Sequence, residues 1–213
     1  MSSRKLPWTL GIGLLLIVLT LVLASLLASV RSRVAAHLPV IGPVAGFALT
    51  NQANTPVSLE ALRGKVWVAD IIFTPCAGPC PRMTQQMKEL QDALPRGEAR
   101  LVTLTTFPEY DTPEVLDKYA RDHGADTNRW MFLTGDKKEI GALAIDSLKL
   151  AAVEVKPEQR TSANDLFIHS TMFVVVDKQA RLRGVFETGG EGVDWQAQKR
   201  KILAAVKQLE REK

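Results

Sequence analysis

The two cysteines of this chain, Cys76 and Cys80, lie in Phe73-Thr74-Pro75-Cys76-Ala77-Gly78-Pro79-Cys80-Pro81, where an apolar run from Val66 to Phe73 gives way to a helical pattern. A thiol beside a helix N-terminus faces unpaired N–H groups and the positive end of the helix dipole. Both favour thiolate, the form that binds soft metals and attacks disulfides. A purely structural disulfide gains little here, because so short a loop removes little entropy from the unfolded chain. Gly78 and Pro79 interrupt any helix across the pair, while Pro81 suits a first turn, where its missing N–H is not needed. Cys76 therefore falls in a loop and Cys80 at the N-cap or just inside the helix, so the sulfurs can converge. Two cysteines exclude a four-cysteine zinc site within one chain, and a site of two cysteines and one histidine stays open.

The chain has three histidines. His37 follows the N-terminal apolar segment, and His123 falls in the last turn of a helix, where it complements the dipole; both read as structural or surface residues. His169 directly precedes a strand, in Asp165-Leu166-Phe167-Ile168-His169-Ser170-Thr171.

The surrounding elements alternate. Phe47 to Thr50 and Val57 to Leu59 read as a small strand pair, and Lys65 to Phe73 as a buried strand running straight into the cysteine loop. A helix from Met83 to Leu94 and a β-branched strand over Arg100 to Thr106 follow. Thr112-Pro113-Glu114 supplies a cap, an N1 proline and an early acid for a helix reaching about Gly124. Trp130 to Leu133 is a short strand, and Asp136 to Glu139 resembles a capping box that opens a helix toward Leu148. Leu150 to Val155 reads as an extra strand and Lys156 to Asp165 as a polar loop. Ser170 to Asp177 and Arg181 to Glu187 form an antiparallel hairpin, and Trp195, Ile202, Val206 and Leu209 make the apolar stripe of a last helix. The expected fold is an α/β sandwich of the thioredoxin type with an N-terminal transmembrane helix.

The helix expected at the N-terminus rests on Leu6 to Val30, which carries no charge. At about 1.5 Å per residue this exceeds the about 20 residues that cross a hydrocarbon core. A cleaved signal peptide, with an apolar region of roughly 7–15 residues, fits less well. The expected organisation is an anchor over 1–30, meeting the membrane through 7–30, a linker over 31–43, and one domain over 44–213. Arg4 and Lys5 nearly balance Arg31 and Arg33, and the N-terminal amine tips the orientation toward a cytoplasmic N-terminus. That implies a single-pass inner-membrane protein with its domain on the exported, periplasmic side. The net charge of +4 is modest, and basic residues of the last helix alternate with acids, so no nucleic-acid partner is expected.

These residues resemble the Sco/SenC family, the membrane-anchored proteins of cytochrome c oxidase assembly. The similarity covers about Gly46 to Leu209. It rests on Phe73-Thr74-x-Cys76-x-x-x-Cys80-Pro81, Asp111-Thr112-Pro113-Glu114, Leu133-Thr134-Gly135, and His169-Ser170 before Phe173-Val174-Val175-Val176-Asp177. The resemblance implies a thioredoxin fold in which Cys76, Cys80 and His169 bind one copper ion, Cu(I) or Cu(II). It further implies delivery to the oxidase subunit that carries the binuclear copper site. On the exported, oxidising side a thiol reductant must keep the cysteine pair open for metal. Phe107-Pro108 stands where the family usually has Asp-Pro, and Ala77-Gly78-Pro79 lacks the acid many members carry between the cysteines. Met83 and Met87 share roughly the helix face of Cys80; thioethers can hold Cu(I), but core packing is the expectation for both.

Two other functions fit the same thiols less well. In a thiol-disulfide oxidoreductase Cys76 and Cys80 would act as the redox pair, although three intervening residues differ from the two of thioredoxins and His169 is then unnecessary. A peroxiredoxin-like peroxidase needs an activating hydroxyl three residues before its cysteine, where this chain has Phe73 and Ala77.

Overall fold

The structure, a computed structural model, describes residues 12–13, 15–26, 37–97, 99–150, 152–154, 167–169 and 171–212, with 152–154 and 167–169 described by their backbone alone. The chain divides into two units, Met1–His37 and Leu38–Lys213. In the first, residues 12–13 and 15–26 are helical and present exposed apolar side chains such as Leu15, Leu19 and Leu21. Among the described residues no helix is long and apolar enough to cross a membrane. This corrects the expected transmembrane helix, the membrane contact through 7–30, and the single-pass inner-membrane location. The reason is length: an uncharged run shows only that a segment is apolar, whereas spanning needs about 20 residues of helix. The helical stretch within 12–26 falls short of that.

The second unit contains strands β1 (Gly42–Pro43), β2 (Ala48–Asn51), β3 (Pro56–Ser58), β4 (Val66–Ile72), β5 (Ala99–Thr105), β6 (Trp130–Thr134), β7 (Ala152–Glu154), β8 (Phe167–His169), β9 (Met172–Val176) and β10 (Arg181–Glu187). Its helices are α1 (Leu59–Leu62), α2 (Cys80–Ala93), α3 (Pro113–Asp122), α4 (Lys137–Gly141), which runs on into a π-helical turn (Ala142–Ser147), and α5 (Trp195–Arg211). The main sheet runs in the order β1-β10-β9-β4-β5-β6-β2-β3, while β7 and β8 form a separate antiparallel pair. The result is an α/β thioredoxin-like sheet with helices on both faces. The expected strands, the hairpin of β9 and β10, and the last helix all appear. β1, of two residues, is too short to show in the pattern, β8 was not expected, and the polar stretch 156–165 lies outside the described residues.

Central strand β4 is buried at every position, so its alternating residues feed two cores. Val66, Val68 and Ile72 meet Met83, Met87 and Leu90 of α2, Leu116 of α3, and Ile202 and Val206 of α5. Trp67, Ala69 and Ile71 pack with Leu59 and Leu62 of α1 and with Leu143 and Leu148 around the π-helical turn. Helix starts follow local chemistry. Thr112 accepts from the Val115 N–H at 3.4 Å, Asp136 from Lys138 at 2.9 Å, and Asp194 from Ala197 at 3.1 Å, each satisfying an N–H that the helix cannot.

The parallel register of β4 with β5, from Val66↔Ala99 to Ile72↔Thr105, ends both strands side by side. The loops that follow them are consequently neighbours, and the Thr106 N–H donates to the Ile72 carbonyl at 2.8 Å. At the other end of β4, Trp67 pairs with Val176. There buried Arg183 donates to Asp177 at 2.8 Å, to Glu212 at 2.8 Å and to the Leu38 carbonyl at 2.6 Å. One guanidinium thus ties the start of the second unit to β10 and to the end of α5, using the several donors that only arginine offers.

Candidate functional site

Cys76 closes the turn after β4, its N–H donating to the Phe73 carbonyl at 3.3 Å, and Cys80 is the first residue of α2 behind Pro79. Both are buried and both are thiols. The two side chains are hydrogen-bonded, and this bond is the largest influence holding the pKa of the Cys80 thiol well above its ordinary value. Burial adds to it, as do the charges of Cys76 and Asp70, while the backbone at Phe73 pulls the other way. Cys76 receives a donor of its own, the Gly78 N–H at 3.3 Å, a contact that strengthens as sulfur gains negative charge. The pair is therefore asymmetric: Cys80 keeps its proton and gives it toward Cys76.

Three further groups set the surroundings of these thiols. Thr84 donates to the Cys80 carbonyl at 3.0 Å and shares a 2.7 Å hydrogen bond with the Tyr119 hydroxyl, fastening the first turn of α2 to α3. Asp70, six residues before Cys76, is fully buried on β4 and accepts from Thr103 at 2.6 Å. Burial pushes its carboxyl up to about 7, against the lowering effect of Thr103, and its Oδ2 has no hydrogen-bond partner among the described residues. Asp111 accepts from the Thr74 N–H at 3.1 Å and from the hydroxyls of Thr74 and Thr105. Sequence reasoning missed all three. Asp70 carried a signal, a lone acid within a buried apolar strand, but Asp111 was read only as part of a helix start.

His169 ends β8, its backbone paired with Ala152, and its side chain lies outside the described residues. The neighbouring backbone is tied to α2. Thr188 donates to the Thr171 carbonyl through its N–H at 2.8 Å and its hydroxyl at 2.7 Å, and Gln86 donates to the Thr188 carbonyl at 2.8 Å. Gly189 permits this approach, since a Cβ there would lie 3.0 Å from Thr171. Among the described residues no group of three His, Cys, Asp or Glu side chains is placed to hold a metal. The structure thus brings Cys76 and Cys80 together. Of the other histidines, His37 starts the described linker and His123 caps the C-terminus of α3, its ring tilted against Tyr119 at 4.2 Å between centroids.

The profile of the SCO1/SenC family matches residues 42–205. This chain belongs to the SCO1/SenC family. The SCO1 protein homolog of Bacillus subtilis (strain 168) is 37% identical over 139 residues, 64% of this chain and 69% of that protein. A solved structure of BsSco, described with a disulfide switch and as a member of the Sco family of cytochrome c oxidase assembly proteins, is 32% identical. It aligns with a TM-score of 0.67 over 83% of this chain and 99% of that one. Bradyrhizobium japonicum ScoI, solved with copper bound, shares the fold at 22% identity and a TM-score of 0.63, over 79% of this chain and 99% of that one.

In this SCO1/SenC chain Met83 and Met87 are both fully buried in the core that contains Cys76 and Cys80. Their burial supports packing as their role and predicts the effect of substitution. Met87→Ala is expected to destabilise the domain by about 2–5 kcal/mol, and Met87→Leu by less than about 1.5 kcal/mol. Urea unfolding of the two variants measures the difference, and a Met87→Leu domain that lost copper affinity with stability intact would make the thioether a ligand.

Proposed function

We propose that this chain is a metallochaperone whose cargo is one copper ion, Cu(I) or Cu(II), held by Cys76, Cys80 and His169. It delivers that ion to, or matures, the binuclear copper site carried by a subunit of cytochrome c oxidase. The observation that carries this reading is the pair of buried, mutually hydrogen-bonded thiols at the first turn of α2 in a SCO1/SenC chain. Two thiolates and an imidazole suit Cu(I), which takes soft ligands at low coordination number. Copper must displace the Cys80 proton, so binding releases protons and strengthens as pH rises. Transfer then proceeds by stepwise exchange of ligands with an acceptor that is equally soft.

Titration of the reduced protein with copper, followed by absorption and electron spin resonance, tests the ligand set. One equivalent is expected to give thiolate charge-transfer bands with nitrogen coupling. His169→Ala should abolish that coupling and weaken Cu(II) binding roughly 100-fold or more, the share of one donor in a thiolate–imidazole site. Unfolding free energy should change far less than copper affinity. Unchanged Cu(II) affinity in this variant removes histidine from the site.

A second reading, thiol-disulfide exchange, is favoured by the direct contact of the two sulfurs and by the disulfide switch described for BsSco. Cys76 as thiolate would attack a partner's disulfide, Cys80 would resolve the mixed disulfide, and the partner would leave as a dithiol, with a thiol reductant resetting the pair. Slow exchange by the fully reduced protein counts against it.

A further inference from the structure

We propose that Asp111 is a positioning residue for the thiols: it fixes the conformation of the cysteine loop and so prepares Cys76 for copper, an inference that rests on the metallochaperone reading. Its place in the chain suggests something plainer. Asp111 stands one residue before the N-cap of α3, but Thr112 does the capping. The Asp111 side chain is instead fully buried, and its hydrogen bonds run to other segments. One oxygen accepts the Thr74 N–H at 3.1 Å and the Thr105 hydroxyl, and the other accepts the Thr74 hydroxyl. Thr105 is itself oriented, since it accepts from the Phe107 N–H at 2.9 Å, and the Asp111 N–H donates to the Phe107 carbonyl at 2.8 Å. A single carboxylate thereby joins the end of β5, the start of α3 and the cysteine loop.

Thr74 is two residues before Cys76, and the residue between is Pro75, whose ring fixes its own φ and restricts the residue before it. Holding Thr74 at both its N–H and its hydroxyl therefore passes with little slack to Cys76. Cys80 is anchored separately, through α2, Thr84 and Tyr119. The two sulfurs are presented from independently fixed elements, which lowers the ordering cost of closing them on a metal. Groups that orient metal ligands in this way typically change affinity by about 10–100-fold when removed. Burial also raises the pKa of Asp111 above the ordinary carboxylate range, against the lowering effect of its three hydrogen bonds, so a neutral isostere is tolerated. An asparagine can accept at one end and donate to the Thr74 hydroxyl at the other.

The test compares Asp111→Ala, Asp111→Asn and Leu116→Ala, the last being a buried residue of α3 outside this network. Competition with a Cu(I) chelator should show Asp111→Ala weakened about 10–100-fold, with an altered charge-transfer spectrum even at saturating copper. Asp111→Asn should restore most of the affinity, and Leu116→Ala should lose stability without changing affinity or spectrum. A copper-free readout runs alongside: alkylation of Cys76, slow while its loop is closed, should accelerate about tenfold in Asp111→Ala and little in Asp111→Asn. Wild-type copper affinity and alkylation rate in Asp111→Ala, or equal losses in Leu116→Ala, overturn the proposal. If Asp111→Ala does not fold, Thr74→Val decides, with reduced affinity supporting the role and wild-type affinity refuting it. Should the wild type bind no copper, the metallochaperone reading fails by itself, and the alkylation rates still judge the positioning role.

Discussion

Serine at both Cys76 and Cys80 is expected to weaken copper binding about 10,000-fold or more. Thiolate–imidazole metal sites carry roughly 10–16 kcal/mol, and the double substitution removes most of their donors. Serine hydroxyls are hard, protonated at neutral pH and poorly matched to Cu(I). The single variants should differ in their pH dependence. In the wild type the Cys80 proton is held by its bond to Cys76 and by burial, so Cu(I) affinity rises with pH across the neutral range; Cys80→Ser binds weakly with a shallower slope. Both cysteines are buried, and each hydroxyl placed there without a partner is expected to destabilise by about 1–3 kcal/mol. Circular dichroism must therefore show folded protein before the titration is read. Equal copper affinity in wild type and the folded double variant would eliminate copper ligation by this pair.

Asp70→Asn is expected to stabilise the protein at pH 8 by up to about 4 kcal/mol while changing little at pH 4. The folded state holds this carboxyl near 7, against an ordinary value of 3.8, because it is fully buried within β4. A raised folded value means that the stabilisation tied to the protonated form is complete below about pH 4. It is lost as pH climbs through about 7, where ionisation leaves a charge with one hydrogen bond from Thr103 and a bare Oδ2. A gap of about three pH units is worth about 4 kcal/mol. Asparagine cannot ionise, so it removes the loss. Urea unfolding at pH 5, 7 and 8.5 measures both proteins. A wild-type curve flat across that range, running parallel to the variant, would contradict the burial argument.

Much of the domain was legible because local and tertiary preferences agree. The buried run before Cys76, the Thr112-Pro113 helix start, the Asp136 cap and the β9–β10 hairpin are each specified by residues only a few positions apart. The N-terminal segment shows the opposite case, in which apolarity over 6–30 does not determine how much of it is helix. The π-helical turn of Ala142–Ser147 was missed because its spacing differs from an α-helix by one residue per bond. At the site, the cysteine spacing pointed to convergent sulfurs, but the residues that hold them are far off in sequence. Asp111 meets Thr74 across 37 positions and Tyr119 meets Thr84 across 35, and no periodicity announces such pairs.

The Arg183 knot lies at the Trp67 end of β4, and the thiols follow its Ile72 end. Seven residues of strand separate them, roughly 20 Å. A handle fixed just ahead of Leu38, whether an affinity tag or a sensor-chip linkage, would grip the domain at its far pole and leave the sulfur-bearing tip open to whatever approaches from solution.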